Sequence, residues 1–397
     1  MNSTTLKPRY RLAENIGTAM KSIFRILFSL KENVPRTTKY LGPLSPAGLR
    51  HWNPRRNISE LAPGYFSLIM ATGIVSIAAH LYHFEIIAHL LLYFNIAAYL
   101  WLFVLTALRF VMYWERGIAD FFNLNKSPGF LSFVAGSAVL GSQFIIIWSS
   151  YTLGVFMYYL AVCTWIFLIY TFFTVITIAK NKPNFTKSIN GSWLLIIVAT
   201  QSIAVLGMLL VQHFSYHTET LSFVSLLLFL CGCMFYIIII TFITFRMSFF
   251  DLAARDFAPS YWINMGATAI SVLAGSLLIS NAQNWDFLTS ILPFLKGFTL
   301  FYWAIGTWWI PFIIIMGIWR TLLKHLPLKY HPLYWSMVFP LGMYTVCTSE
   351  MARAMELPFL EKIPAIFIYF ALGSWMIAFI GMIVYYFKHP VFEEDFT

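Results

Sequence analysis

Charge is scarce in this chain. Only 11% of its 397 residues are Asp, Glu, Lys or Arg, with 16 acidic residues against 26 basic ones. Cysteine is scarcer still. Cys163, Cys231, Cys233 and Cys347 all fall inside apolar segments, where a thiol behaves as a small hydrophobe and a disulfide framework has no support. Cys231-Gly232-Cys233 has no further Cys or His at zinc spacing, and no haem pair or zinc-protease motif is present. Without a cluster of His, Cys, Asp or Glu at catalytic spacing, a membrane-embedded enzyme or sensor finds no support, and neither a cofactor nor a metal is expected. His80, His83, His89, His213 and His217 map to one side of the membrane. A metal or pH-sensing role for them stands beside the simpler reading of hydrated interfacial histidines.

Apolar length is what the chain has in abundance. Hydrophobic residues make up 59% of it and the mean hydropathy is +0.73, which places it among polytopic membrane proteins. The runs are continuous rather than alternating, so they read as helices and not as barrel strands, because a helix satisfies its own backbone groups in lipid. Ten spans are predicted, at roughly 63–82, 87–111, 129–148, 152–179, 190–212, 220–245, 260–281, 297–322, 333–352 and 363–387. The fold class is therefore all-α integral membrane: a transport domain over 61–388, a basic segment over 1–60 and a short tail over 389–397.

A short signature opens every second span: Pro63-Gly64-Tyr65-Phe66, Pro128-Gly129-Phe130-Leu131, Asn190-Gly191-Ser192-Trp193, Pro259-Ser260-Tyr261-Trp262 and Pro332-Leu333-Tyr334-Trp335. The openers lie 65, 62, 69 and 73 residues apart, room for one helix across a membrane and another back. Five helical hairpins follow. The prolines suit a first helical turn, where a missing N–H is harmless, and Asn190 can cap its helix through its side chain. All five odd helices then run parallel, and their N-terminal dipoles converge on one mouth, favouring anions over cations.

Placing the N-terminus inside assigns 23 of the 26 Lys and Arg residues to the cytoplasmic side, leaving Lys296, Arg353 and Lys362 outside. Both termini are thus expected in the cytoplasm of a multi-pass protein of the plasma (inner) membrane. The net charge of +10 is spread over loops beside anionic lipid, so the bilayer is its partner and no nucleic acid is expected. Within 1–60, Tyr10 to Lys31 places Ile16, Met20, Ile23, Phe24 and Leu27 on one helical face, an interfacial helix or a loosely ordered basic tail. It is not a signal peptide, since its apolar stretch is short, late and interrupted by basic residues.

The odd spans are small and polar where the second and fourth are Leu, Ile, Val, Phe and Trp. Ser67, Thr72 and Gly73 in the first, Gly136, Ser137 and Gln143 in the third, and Asn264, Gly266 and Thr268 in the seventh allow close helix approach, cross-helix hydrogen bonds or a wet path. Five equivalent helices with this bias point to a shared central pore.

Pro63-Gly64-Tyr65-Phe66-Ser67-Leu68-Ile69-Met70-Ala71-Thr72-Gly73-Ile74 and Phe339-Pro340-Leu341-Gly342-Met343-Tyr344 resemble the tellurite-resistance/dicarboxylate transporter family, which includes plant slow-type anion channels and malic acid transporters. The resemblance covers about residues 60–390. It implies five hairpins around a pore with quasi-fivefold symmetry, a homotrimer with one pore per subunit, and transport of small anions such as malate, sulfite, nitrate or chloride. Asn190 departs from the repeat's proline, which unsettles where the fifth helix starts.

Phe339 lies seven residues after its opener, and the same step elsewhere gives Met70, Ala135, Ile197 and Gly266. One bulky ring faces smaller neighbours there. The resemblance places a gating phenylalanine at Phe339-Pro340, whereas the residues alone also fit a core-packed ring beside an ordinary proline kink. Helical steps from Phe339 collect Ser336, Met343, Val346, Glu350 and Arg353 on one stripe, so Ser336, Met343 and Val346 join the pore-lining candidates. Glu350 and Arg353 form an outer-mouth filter or an ion pair that tethers the helix end. Transport of C4-dicarboxylates or inorganic anions through a phenylalanine-gated channel is the expected function. A proton-coupled dicarboxylate carrier and a sulfite- or tellurite-related exporter are the alternatives.

Overall fold

The structure, a computed structural model, describes residues 58–178, 184–211, 213–214, 218–254, 256–325 and 330–388. The surface helix expected over Tyr10 to Lys31, the tail over 389–397 and His217 lie outside the described residues. Among the described residues there is no strand, and eleven helices reach nine residues or more. In chain order they are α1 (Ser67–Leu81), α2 (Glu85–Met112), α3 (Trp114–Phe122), α4 (Leu131–Trp148), α5 (Tyr151–Ile178), α6 (Leu195–Val211), α7 (Thr218–Phe249), α8 (Ile263–Ser280), α9 (Leu292–Ile318), α10 (Trp335–Ala354) and α11 (Lys362–Lys388).

Each signature folds as a tight 3-10 turn that leads into its helix: Pro63–Phe66, Ser127–Phe130, Gly191–Leu194, Pro259–Trp262 and Pro332–Tyr334. Proline fits because its fixed φ suits the first turn and its absent N–H has no partner there. Asn190 stands just before the third turn in extended conformation, its side-chain oxygen accepting from the Ser192 N–H at 2.8 Å. The capping role read from sequence is present, but the register shifts: Gly191, not Asn190, occupies the place that Pro63 and Pro259 hold elsewhere. The equivalent of Phe339 in α6 is accordingly Val198 rather than Ile197, and both are fully buried.

The helices pair as hairpins, α1 with α2, α4 with α5, α6 with α7, α8 with α9 and α10 with α11. The first member of each pair also touches its counterparts in a closed cycle, α1 to α4 to α6 to α8 to α10 and back to α1. The signature turns contact one another in the same cyclic order. Nine helical segments among the described residues are long and apolar enough to cross a membrane, and burial sorts them cleanly. Four of the inner helices, α1, α4, α6 and α8, are 78–94% buried over their apolar windows, whereas α2, α5, α7, α9 and α11 are 17–44% buried and present Leu, Ile, Phe and Trp outward. The protein is an all-α, multi-pass integral membrane protein. The remaining inner helix, α10, falls short in apolarity because Ser336, Thr345, Thr348, Ser349, Glu350 and Arg353 dilute its 20 residues, yet its interior is as buried as that of the others.

A second cycle of contacts locks the first. A Tyr or Trp from each outer helix hydrogen-bonds a polar residue on the inner helix of the next hairpin: Tyr99 with Ser137 at 2.8 Å, Trp165 to Thr200 at 2.9 Å, and Tyr236 to Asn264 at 3.2 Å. Trp303 to Thr348 at 3.1 Å and Trp375 to Thr72 at 3.0 Å complete it. In lipid the alternative for each group is an unsatisfied dipole, so small polar residues on the inner helices are fixed by partners rather than left facing a lumen. Buried arginines tie the signature end. Arg246 at the end of α7 donates to the Ile189 carbonyl at 2.6 Å and the Tyr261 hydroxyl at 2.8 Å, with Asp256 3.6 Å away. Arg109 at the end of α2 likewise joins the Ser59 carbonyl and Asp120.

Candidate functional site

The five inner helices converge at the signature end and separate toward the other, here called the far end, where they enclose a cavity of about 170 Å³. Every inner helix contributes to its wall at helical steps. Ile74, Ile77 and His80 come from α1, Val139 and Ser142 from α4, and Ser202 and Val205 from α6. Ile270 and Leu273 come from α8, and Met343, Val346 and Glu350 from α10. Counting from each opener the lining positions coincide only if α6 is counted from Gly191, which confirms the shifted register independently of the capping geometry.

The first ring of lining residues, Ile74, Val139, Ser202, Ile270 and Met343, lies one turn beyond Met70, Ala135, Val198, Gly266 and Phe339. At that lower level the packing closes. Phe339 has no exposed surface, nor do Met70, Ala135 and Val198. A Cβ at Gly266 would stand 3.1 Å from Cδ1 and Cε1 of Phe339 and 3.0 Å from Cγ of Pro340, so the ring lies against bare backbone. α10 continues through Pro340, whose missing N–H leaves the Ser336 carbonyl without its usual helical donor. Met343 and Val346 thus sit on the cavity wall, while Met70, Ala135, Ile197, Gly266 and Ser336 belong to the closed section below it.

The wall is mostly aliphatic, its polar members being His80, Ser142, Ser202 and Glu350. Ser142 and Ser202 donate to the carbonyls of Ala138 (3.0 Å) and Val198 (2.7 Å) on their own helices, leaving hydroxyl lone pairs toward the space. Other polar residues of the inner helices point sideways: Gln143 accepts from Asn95 at 2.6 Å and Gln201 donates to the Phe229 carbonyl at 3.0 Å. Of the wet path that their composition allowed, two serines reach the cavity.

Glu350 and Arg353 do pair, Nη1 to Oε1 at 3.1 Å, but they face differently: Glu350 lines the cavity and Arg353 stands half exposed outside it. His80 Nδ1 lies 2.8 Å from Glu85 Oε2, and His89 packs on the same carboxylate. Tyr82, in the turn after α1, has its phenol pushed above its ordinary value by burial, against the hydrogen bond with Ser349 and the field of Arg353. His213 stacks on Tyr151 at 4.3 Å. No group of three or more His, Cys, Asp or Glu residues that could hold a metal occurs among the described residues. Sequence reasoning singled out Glu350 and counted Ser142 and Ser202 among the hydroxyls able to line a wet path, but read His80 only as an outer-side histidine and not as a wall residue. Repeating the signature register outward along all five helices was the signal that would have found it.

Comparison with known proteins agrees with this architecture. Residues 60–383 match the voltage-dependent anion channel family. Two uncharacterized transporters of Methanocaldococcus jannaschii are similar along most of their length, one 25% identical over 85% of this chain and 98% of its own, the other 24% identical over 77% and 88%. An uncharacterized membrane protein of Mycobacterium tuberculosis is 36% identical over 37% of this chain and 75% of its own.

Proposed function

The chain belongs to the voltage-dependent anion channel family, and we propose that it conducts small anions, C4-dicarboxylates or inorganic anions, along the axis of the inner ring, with Phe339 as the gate. The observation that carries this reading is the position of Phe339, wholly buried against the Gly266 backbone one turn short of a cavity built by all five inner helices. In this reading α10 also spans, ninth in chain order, which brings the spans to ten, and the five hairpins form a quasi-fivefold pore. The signature end faces the cytoplasm of the plasma membrane, with both termini inside, and the subunits assemble as a homotrimer. Basic loops at the signature end support that orientation.

An aliphatic wall binds anions weakly, as conduction requires, and stays dry while the ring is in place. In this reading the Phe339 ring turns about its χ angles, away from the Gly266 backbone it lies against, to open the axis. Phe339→Ala is expected to raise chloride currents in planar bilayers about tenfold, the effect of lowering the barrier by about 1.4 kcal/mol. A correctly folded variant with the parental current would refute the gate.

A further inference from the structure

The cavity carries two titratable side chains at its far end, and each is backed by an opposite charge that lies outside. Glu350 projects into the cavity with Arg353 behind it, their side chains 24% and 53% exposed, and His80 projects in with Glu85 behind it, 32% and 48% exposed. α1 and α10 are neighbours in the ring, so both groups meet an entering ion on the same flank. The walls supplied by α4, α6 and α8 carry no titratable group. Around the mouth stand Tyr82 and His83 in the turn after α1, Glu85 and His89 on α2, Arg353 on α10, and Glu356, Glu361 and Lys362 in the segment leading to α11.

A fixed carboxylate on the wall of an anion path is a puzzle, because it repels the cargo through an otherwise apolar medium. The repulsion scales with the cargo's charge, so it weighs twice as heavily on a dianion as on a monoanion. Imidazole changes charge between about pH 5 and 8, and a carboxylate neutralises as the pH falls further, so acid reverses the sign of the flank. We propose that Glu350 and His80 form a proton-controlled valence filter: at neutral pH the cavity passes monovalent anions, and divalent anions enter as the two side chains take up protons. Arg353 and Glu85 hold the two groups in place and do not themselves face the ion. The filter rests on the reading of this cavity as the anion pathway.

The test is the sulfate-to-chloride permeability ratio, taken from reversal potentials of the full-length protein in planar bilayers with the pH changed on one face at a time. Sulfate stays divalent throughout, which separates protonation of the protein from protonation of the anion. From about pH 8 to about pH 4 on the far face, the parental ratio should rise about tenfold. Glu350→Gln should raise the ratio at neutral pH and leave only the imidazole part of the rise, and His80→Gln should flatten the rise over the imidazole range. Glu350→Asp, the milder change, should keep the pH dependence. A parental ratio and profile in Glu350→Gln, or a flat profile in Glu350→Asp, would overturn the filter. Val346→Trp, which fills the cavity, distinguishes the two levels of failure. Loss of chloride current in that variant leaves the pathway standing and charges any failure to the filter, whereas an undiminished current removes the pathway itself.

Discussion

At the signature end the turns that open the five inner helices touch in a ring, two of the contacts backbone to backbone, and at the far end the same helices surround an aliphatic cavity. A Cβ placed on Gly191 would sit 2.3 Å from the Ser260 carbonyl oxygen, and one on Gly129 would sit 3.0 Å from the Gly64 nitrogen. Cavity residues, by contrast, present Ile, Leu, Val and Met side chains to the space between the helices. Backbone contact tolerates almost no displacement, while flexible side chains repack at small energy. One end of the ring is therefore a rigid clasp and the other an adaptable mouth. Phe339 lies where the two regimes meet, its ring buried against the Gly266 backbone.

Putting a methyl group into the clasp is the most severe way to break this contrast. Gly191→Ala has no side chain to push aside, only the backbone of Ser260 and Tyr261, so the turn itself must shift. We expect a loss of about 3 kcal/mol or more, seen as early thermal unfolding in detergent or as failure to accumulate. Gly297→Ala is the control. Nothing lies within 4 Å of its added Cβ on α9, and alanine is the better helix former there by about 0.5–1 kcal/mol. Equal stability of the two variants would mean that the clasp yields.

Charged groups repeat the contrast at lower amplitude. Arg246 is 8% exposed and bonds the Ile189 carbonyl and the Tyr261 hydroxyl, joining one signature turn to the next. Arg246→Met leaves those acceptors dry and should destabilise by about 2 kcal/mol, moderated because Asp256 is exposed enough to find water. Arg353→Gln removes a pair that stands half in solvent and should change stability by about 0–1 kcal/mol. Thermal melts of the purified variants rank the two, and a larger shift for Arg353→Gln would reverse the assignment of rigid and adaptable ends.

Repetition carried most of the fold through to the sequence. Signature spacing gave the hairpins, and small residues gave the inner positions, because both follow from local backbone rules and close helix approach. What escaped was fixed by cross-chain partners. Asn190 looked like the repeat's proline since it begins the local motif, but it caps from outside and hands the first helical position to Gly191. The one-residue slip carried Ile197 into the list where Val198 belongs. Arg246 and Arg109 read as topology-setting loop charges and proved to be buried clasps. Thr72 and Ser137 read equally well as pore hydroxyls, and their Trp and Tyr partners lie 303 and 38 residues away, beyond any local pattern. Phe339 was legible as a bulky exception within its register, and its contact with Gly266 belongs to the same comparison.

The smallest effect concerns the aromatic hydrogen bonds between outer and inner helices, which run from Asn264 near the clasp to Thr348 near the mouth. Trp165→Phe keeps an aromatic ring, though a smaller one, and removes one hydrogen bond, that to Thr200. Thr200 still donates to the Ile196 carbonyl at 2.7 Å, so no donor is orphaned, and the loss should be about 0.6 kcal/mol, typical of interhelical bonds in membranes. Trp375→Phe acts on a different pair, Trp375 with Thr72, which shares no partner with the first. If these are five separate bonds, the double variant loses about 1.2 kcal/mol, the sum of the two. A larger loss in a double-mutant cycle would show that the bonds support one another around the ring, making them part of the rigid clasp.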